Sequence, residues 1–143
     1  MQRKVVGALL LALALGVAAC GGSGSKPLTA AQLRTQASAV CRDVARRMLA
    51  LETGASQATM HASLARAARV MSDGLARLQA LKPPAQLAGR YARFVAWKGA
   101  QRDAARELSR PGGRLSARSR AAVRAHQSPV WTLAHQLDLP ACA

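Results

Sequence analysis

The chain has 143 residues, with 21 basic against 6 acidic side chains and a formal net charge of +15. This is the length of one domain. Ala, Leu and Arg, all good helix formers, abound, and the aromatics are Tyr91, Phe94, Trp97 and Trp131 alone. With strand-favouring residues so scarce, a β-built fold is excluded and an all-α fold is expected.

The first element in chain order is an address. Arg3 and Lys4 precede an uncharged run from Val5 to Ala19. As a helix this run rises only ~22 Å, short of the ~30 Å hydrocarbon core of a bilayer. A basic start, a short apolar stretch and small residues at its end are the pattern of a secretory signal over residues 1–19. Its last residues, Val17-Ala18-Ala19-Cys20, resemble the lipobox of bacterial lipoproteins. That resemblance implies a diacylglyceryl group on the Cys20 thiol and removal of the peptide before it.

Gly21-Gly22-Ser23-Gly24-Ser25 follows, with little to bury and a free backbone. Residues 20–27 therefore read as a lipidated Cys and a flexible tether, and residues 28–143 as the folded domain. Two or more acyl chains hold a protein stably, at ~0.8 kcal/mol per buried CH₂. The expected partner is the membrane, reached through the anchor from its outer face. Residues 20–143 keep 19 basic and 6 acidic side chains, and sixteen of the nineteen are Arg.

Leu28-Thr29-Ala30-Ala31-Gln32-Leu33 is a helix start: Thr29 as N-cap, Gln32 to complete a capping box, Leu28 to staple onto Leu33. Leu33, Ala37, Val40, Val44, Met48 and Leu51 then form one buried stripe, which Gly54 ends. Ser56 caps a second helix with Met60, Leu64, Ala67, Met71, Leu75 and Leu78 inward. Lys82-Pro83-Pro84 closes it, and Pro84 suits the first turn of a third. The third helix runs to about Ser109 with Leu87, Tyr91, Phe94, Val95, Ala105 and Leu108 inward; its stripe is the least clean. After the Pro111-Gly112-Gly113 loop, Ser116 caps a fourth helix along Val123, His126, Val130, Leu133 and Leu137. Pro129 interrupts it, so a kink is expected there, or a fresh start capped by Ser128. Four helices with short links predict an up-down-up-down four-helix bundle, monomeric.

With Cys20 lipidated, Cys41 and Cys142 are an even pair in an exported chain, which favours one disulfide. In an antiparallel bundle the fourth helix ends near the start of the first. The tail from Asp138 to Cys142 spans ~15 Å when extended, about what Cys41 needs at twelve residues into its helix. The segments "AQLRTQASAVCRDVARR", "LQALKPPAQL" and "AHQLDLPACA" also resemble small exported helical proteins of actinobacteria with one disulfide. That likeness implies the same pairing and no activity. Where those proteins often carry Gly before the last leucine, Asp138 stands here.

No catalytic residue, metal site or cofactor is expected. His126 and His135 lie about 180° apart around a helix, so they do not converge on a ligand. Met48, Met60 and Met71 fall on core stripes, which leaves Met60-His61 as the one local metal option, a copper pair. Asp103 and Glu107 are the only close carboxylates. Arg102, Arg106 and Arg110 flank them, the pattern of a salt-bridged exposed face rather than an acid–base pair. No nucleophile elbow and no nucleic-acid motif occurs, so neither an enzyme nor a nucleic-acid binder is expected.

Two classes of function remain. One is a partner-binding or structural surface module. The other is a ligand binder, for anionic lipid or envelope polymer through Arg, or for a small molecule in the bundle core. Arg90, Arg93, Lys98, Arg102, Arg106 and Arg110 make a basic ribbon on the third helix, with Trp97 on it at headgroup level. Against the ribbon stands the ordinary solvated helix face of an Ala- and Arg-rich chain. The intact mass of the native protein tests the address: it should show a chain starting at a diacylated Cys20. A free Cys20 thiol, or a species retaining residues 1–19, would contradict it.

Overall fold

In the computed structural model, which describes residues 26–51, 56–127 and 129–143, every regular element is helical. The capping box opens the fold as its sequence dictates. Gln32 N–H donates to Thr29 Oγ1 and Thr29 N–H donates to Gln32 Oε1, satisfying two donors that a helix start leaves orphaned. Helix α1 spans Ala30–Leu49. Leu33, Ala37 and Val40 are buried on the expected stripe, and Leu28 and Val44 pack against the same core. The helix stops short of the expected end, because Ala50 N–H turns back to Arg46 O and Leu51 N–H to Met48 O. Gly54 and Ser128, and the signal and tether up to Ser25, lie outside the described residues.

Helix α2 spans Gln57–Gln79, capped by the Ser56 hydroxyl, which accepts from Thr59 N–H. Ala67, Leu75 and Leu78 are buried, but Met60 is 49 % exposed, contrary to its place on the stripe. Met60 sits in the first turn, level with the end of the next helix: its neighbour His61 bonds through Nδ1 to the Leu108 carbonyl. Helix α3 spans Ala85–Leu108, with Pro84 as its N-cap rather than inside the first turn.

The fourth helical segment is described on either side of residue 128, as α4 over Ala117–Gln127 and α5 over Pro129–Gln136, and the kink or fresh start expected at Ser128 and Pro129 falls on that undescribed position. The His126 and Val130 side chains, expected inward, lie outside the described ones; Leu133 and Leu137 are buried as expected. Helix α2 packs on both α1 and α3, α4 and α5 pack on α3, and a terminal 3-10 turn at Pro140–Cys142 packs back on α1. Where α1 and α2 cross, a Cβ on Gly74 would collide with Val44 Cγ2, so the close approach requires glycine. Charges seal the outside of that crossing: Asp43 accepts from Arg77 at 2.7 Å and from Arg46 at 3.1 Å, and Arg47 pairs with Asp73.

The tail is built by a left-handed cap. Asp138 takes φ +55°, with its N–H donating to His135 O and Leu139 N–H to Ala134 O. Those two bonds form a Schellman motif, in which the residue after the cap turns left-handed and the next one inserts. Leu139 is fully buried as a result. The chain then reaches α1, where Cys142 is bonded to Cys41 across 101 positions of sequence. The left-handed turn is thus made at Asp138 without glycine.

Asp138 also pairs with Arg34 at 3.3 Å, an exposed contact that any uncharged substitution removes. Comparing two such substitutions isolates the backbone. Asp138→Gly should unfold at a higher urea midpoint than Asp138→Val, by about 1–2 kcal/mol, because a β-branched side chain resists positive φ. Equal midpoints would mean that the left-handed turn does not hold the tail.

Candidate functional site

Helix α3 carries the candidate residues, and it has packed neighbours on more than one side, α2 on one and α4 with α5 on another. A helix so placed buries more than one stripe. Tyr91 and Phe94 follow the expected inward line, and Trp97 continues it and is buried rather than exposed on a ribbon. The three rings step along the helix with centroids 6.0 and 6.4 Å apart. Tyr91 donates its hydroxyl proton to Leu78 O at 2.9 Å, which satisfies the polar end of a buried ring, and burial pushes its pKa up.

Lys98 turns inward as well. Its Nζ lies 4.5 Å from the centroid of Trp97 and 5.6 Å from that of Phe94, and donates to the Cys142 carbonyl at 2.9 Å. Two ring faces and a carbonyl favour the ammonium, but loss of water outweighs them and its pKa falls to about 8. It forms part of the wall of a cavity of about 210 Å³ between α1, α2, α3 and the terminal turn. Val40, Val44, Met71, Leu75, Leu78 and the Cys41–Cys142 bridge supply most of that wall.

The other cations of the ribbon separate. Arg90 and Arg93 are exposed in the first half of α3. Arg102 pairs with its neighbour Asp103 at 2.7 Å, and Arg106 donates to Ser72 Oγ on α2 at 3.1 Å. Arg110 is exposed beyond the end of the helix. Thirteen residues at 100° each put Arg93 and Arg106 roughly 220° apart around the axis, so they share no face. The ribbon expected along α3 is therefore two separate groups with Lys98 withdrawn between them.

Glu107 does structural work that its spacing from Asp103 concealed. It accepts from Ser116 N–H at 2.7 Å, Ser116 Oγ at 3.0 Å and Ser119 Oγ at 2.6 Å, and so fastens the start of α4 onto α3. The Ser119 hydroxyl first, then the Ser116 N–H, hold its carboxyl below the usual range. Ser116 caps α4 as expected, accepting from Ser119 N–H at 3.1 Å. An open polar cleft of about 600 Å³ beside this joint is lined by Arg106, Arg110 and Arg118 together with Asp103 and Glu107. Among the described residues no three His, Cys, Asp or Glu side chains gather as metal ligands, and no helix is long and apolar enough to cross a membrane.

No known family matches this chain, and no curated protein or solved structure is similar to it. The site must be read from its own chemistry.

Lys98 makes one prediction about stability. Its folded pKa of about 8 lies below the ordinary lysine value near 10.4. Below pH 8 both folded and unfolded chains carry the proton, and the penalty for burying the charge is fully present. As pH rises above 8 the folded state releases that proton first, so stability should climb. By pH ~10 the gain should reach up to about 2 kcal/mol, before ionisation of Tyr91 in the unfolded chain reverses it. Urea midpoints measured from pH 7 to pH 10 should show the climb in the Cys20→Ser chain. In a further Lys98→Met variant they should not. Parallel profiles for the two chains would contradict the assignment.

Proposed function

We propose that this chain is an exported, lipid-anchored and non-enzymatic helical module. Its four helical segments alternate in direction as an up-down-up-down bundle, and it rests its tethered end against an anionic membrane face. The observation that carries this reading is the hydrogen bond from Leu28 N–H to Lys82 O, 2.8 Å long. It fixes where the tether leaves the domain: beside the link between α2 and α3, close to the first turns of α3.

Eight residues from Cys20 to Leu28 can reach at most ~28 Å, so a lipid at Cys20 would keep this end near the headgroups. Lys26, Lys82, Arg90 and Arg93 are all exposed in the segments that meet there. Each basic residue near an anionic surface contributes ~1 kcal/mol, and the attraction fades within a Debye length of ~8 Å in physiological salt. Arg106 lies sixteen residues along α3 from Arg90, about 24 Å away. It is too far to share the same surface, and Lys98 faces inward. On this reading only the tether-end half of the expected ribbon binds headgroups.

Vesicle sedimentation with the Cys20→Ser chain tests it, since no lipid anchor then contributes. Phosphatidylglycerol-containing vesicles should bind the protein at 0.1 M salt, and phosphatidylcholine vesicles should not. Binding should fade towards 1 M, where the Debye length is ~3 Å. The Lys82→Gln, Arg90→Gln, Arg93→Gln chain should lose most binding, whereas Arg102→Gln, Arg106→Gln, Arg110→Gln should keep it. Equal losses from the two sets would mean unoriented charge attraction, and no binding at low salt would end the headgroup reading.

A further inference from the structure

The apolar cavity beside the disulfide combines two features of opposite character. Most of its lining is apolar, with Val40, Val44, Met71, Leu75 and Leu78 foremost and Gln101 the one neutral polar side chain among the described residues there. Yet one of its wall residues is Lys98, whose ammonium is drawn in from solvent onto Trp97 and hydrogen-bonded to the Cys142 carbonyl. An apolar space serves an apolar occupant, and dry cavities near 150 Å³ already accept benzene. This one holds about 210 Å³.

We propose that the cavity is a binding site for a small apolar monoanion, a carboxylate on a short hydrocarbon chain or ring, with its head on Lys98. The argument is charge complementarity in a place where charge is costly. A lysine ammonium has three donors, and the Cys142 carbonyl takes one of them. Among the described residues lining the cavity no acidic side chain is present. Ala143 lines the cavity too, yet none of the ion pairs among the described residues involves Lys98, so a carboxylate entering beside it would find a half-buried ammonium with donors still open to a charge-assisted hydrogen bond. The depressed pKa of Lys98 agrees with this, since a paired anion would relieve what burial imposes.

Ala45 marks the way in, being an exposed residue that also lines the cavity. The aliphatic walls supply affinity for the chain, and the single amine supplies the choice of head group. A neutral alcohol of the same length keeps the first contribution and loses the second. A matching ammonium meets a like charge. The inference does not depend on the anchor or on headgroup binding, because none of Lys26, Lys82, Arg90 and Arg93 lines the cavity.

Calorimetric titration of the full chain carrying Cys20→Ser, at pH 7, distinguishes these contributions with octanoate, 1-octanol and octylammonium as probes. Octanoate should bind at least about tenfold more tightly than 1-octanol, and octylammonium more weakly than either. Lys98→Met should bring octanoate down to the level of 1-octanol while leaving 1-octanol binding in place. Ala45→Phe, a change at an exposed position that should leave the fold intact, should block the mouth and weaken both. Equal affinity for octanoate and 1-octanol in the parent chain, octanoate binding unchanged in Lys98→Met, or no binding of either probe to the folded parent chain would each overturn the proposal.

Discussion

The bond between Cys41 and Cys142 is the constraint on which the rest of the structure depends. It ties the end of the described chain to the middle of α1, so that a loop of 101 positions is closed on itself. On the chain-entropy account, closing about 100 residues stabilises a fold by up to ~4.7 kcal/mol. The geometric consequence matters more here. Holding Cys142 against α1 brings its carbonyl to Lys98 on α3, and its side chain into the wall of the cavity. The left-handed turn at Asp138 and the buried Leu139 guide the chain to that point, and the bridge secures it.

The basic side chains on and around α3 are of two kinds. Those beside the α2–α3 link and on the flanks are exposed, or pair with carboxylates and hydroxyls near them, as Arg102 does with Asp103 and Arg106 with Ser72. Lys98 is the exception, half-buried on Trp97. The residue type suits the place. An ammonium on a flexible stem can thread past aromatic faces, and its pKa yields when water is removed, whereas a guanidinium stays charged and needs more hydrogen-bond partners. In a chain so rich in Arg, a lysine at the inward position is a chemical choice as much as a compositional one.

Local signals in the sequence were legible, and long-range ones were not. The capping box at Thr29 and Gln32 and the Ser56 and Ser116 caps all depend on residues within a turn of each other. The α1 stripe is clear because that helix buries one face. The Cys41–Cys142 pairing, though distant in sequence, was accessible because these are the two cysteines outside the N-terminal apolar run and helix lengths set the distance between them. Trp97 and Lys98 were misplaced because α3 has packed neighbours on more than one side, so one apolar periodicity does not describe it. Met60 was misplaced because a stripe shows which face is inward but not how far along the axis the neighbouring layers extend. Glu107 looked like part of a charged face, since its partners Ser116 and Ser119 lie across the Pro111–Gly113 loop. The cavity had no local signature, being assembled from three helices and a tail.

If the bridge does build the lysine site, the two must respond together. The titration of the Lys98 side chain, followed by the carbon resonance next to its nitrogen with and without a reductant, measures that coupling directly. With Cys41 and Cys142 bonded, Lys98 should titrate near 8. After reduction, with helicity retained, the Cys142 carbonyl and the tail wall should leave, and Lys98 should return towards the ordinary value near 10.4. An ordinary lysine titration in the bonded protein, or a depressed one that reduction leaves unmoved, would contradict the account.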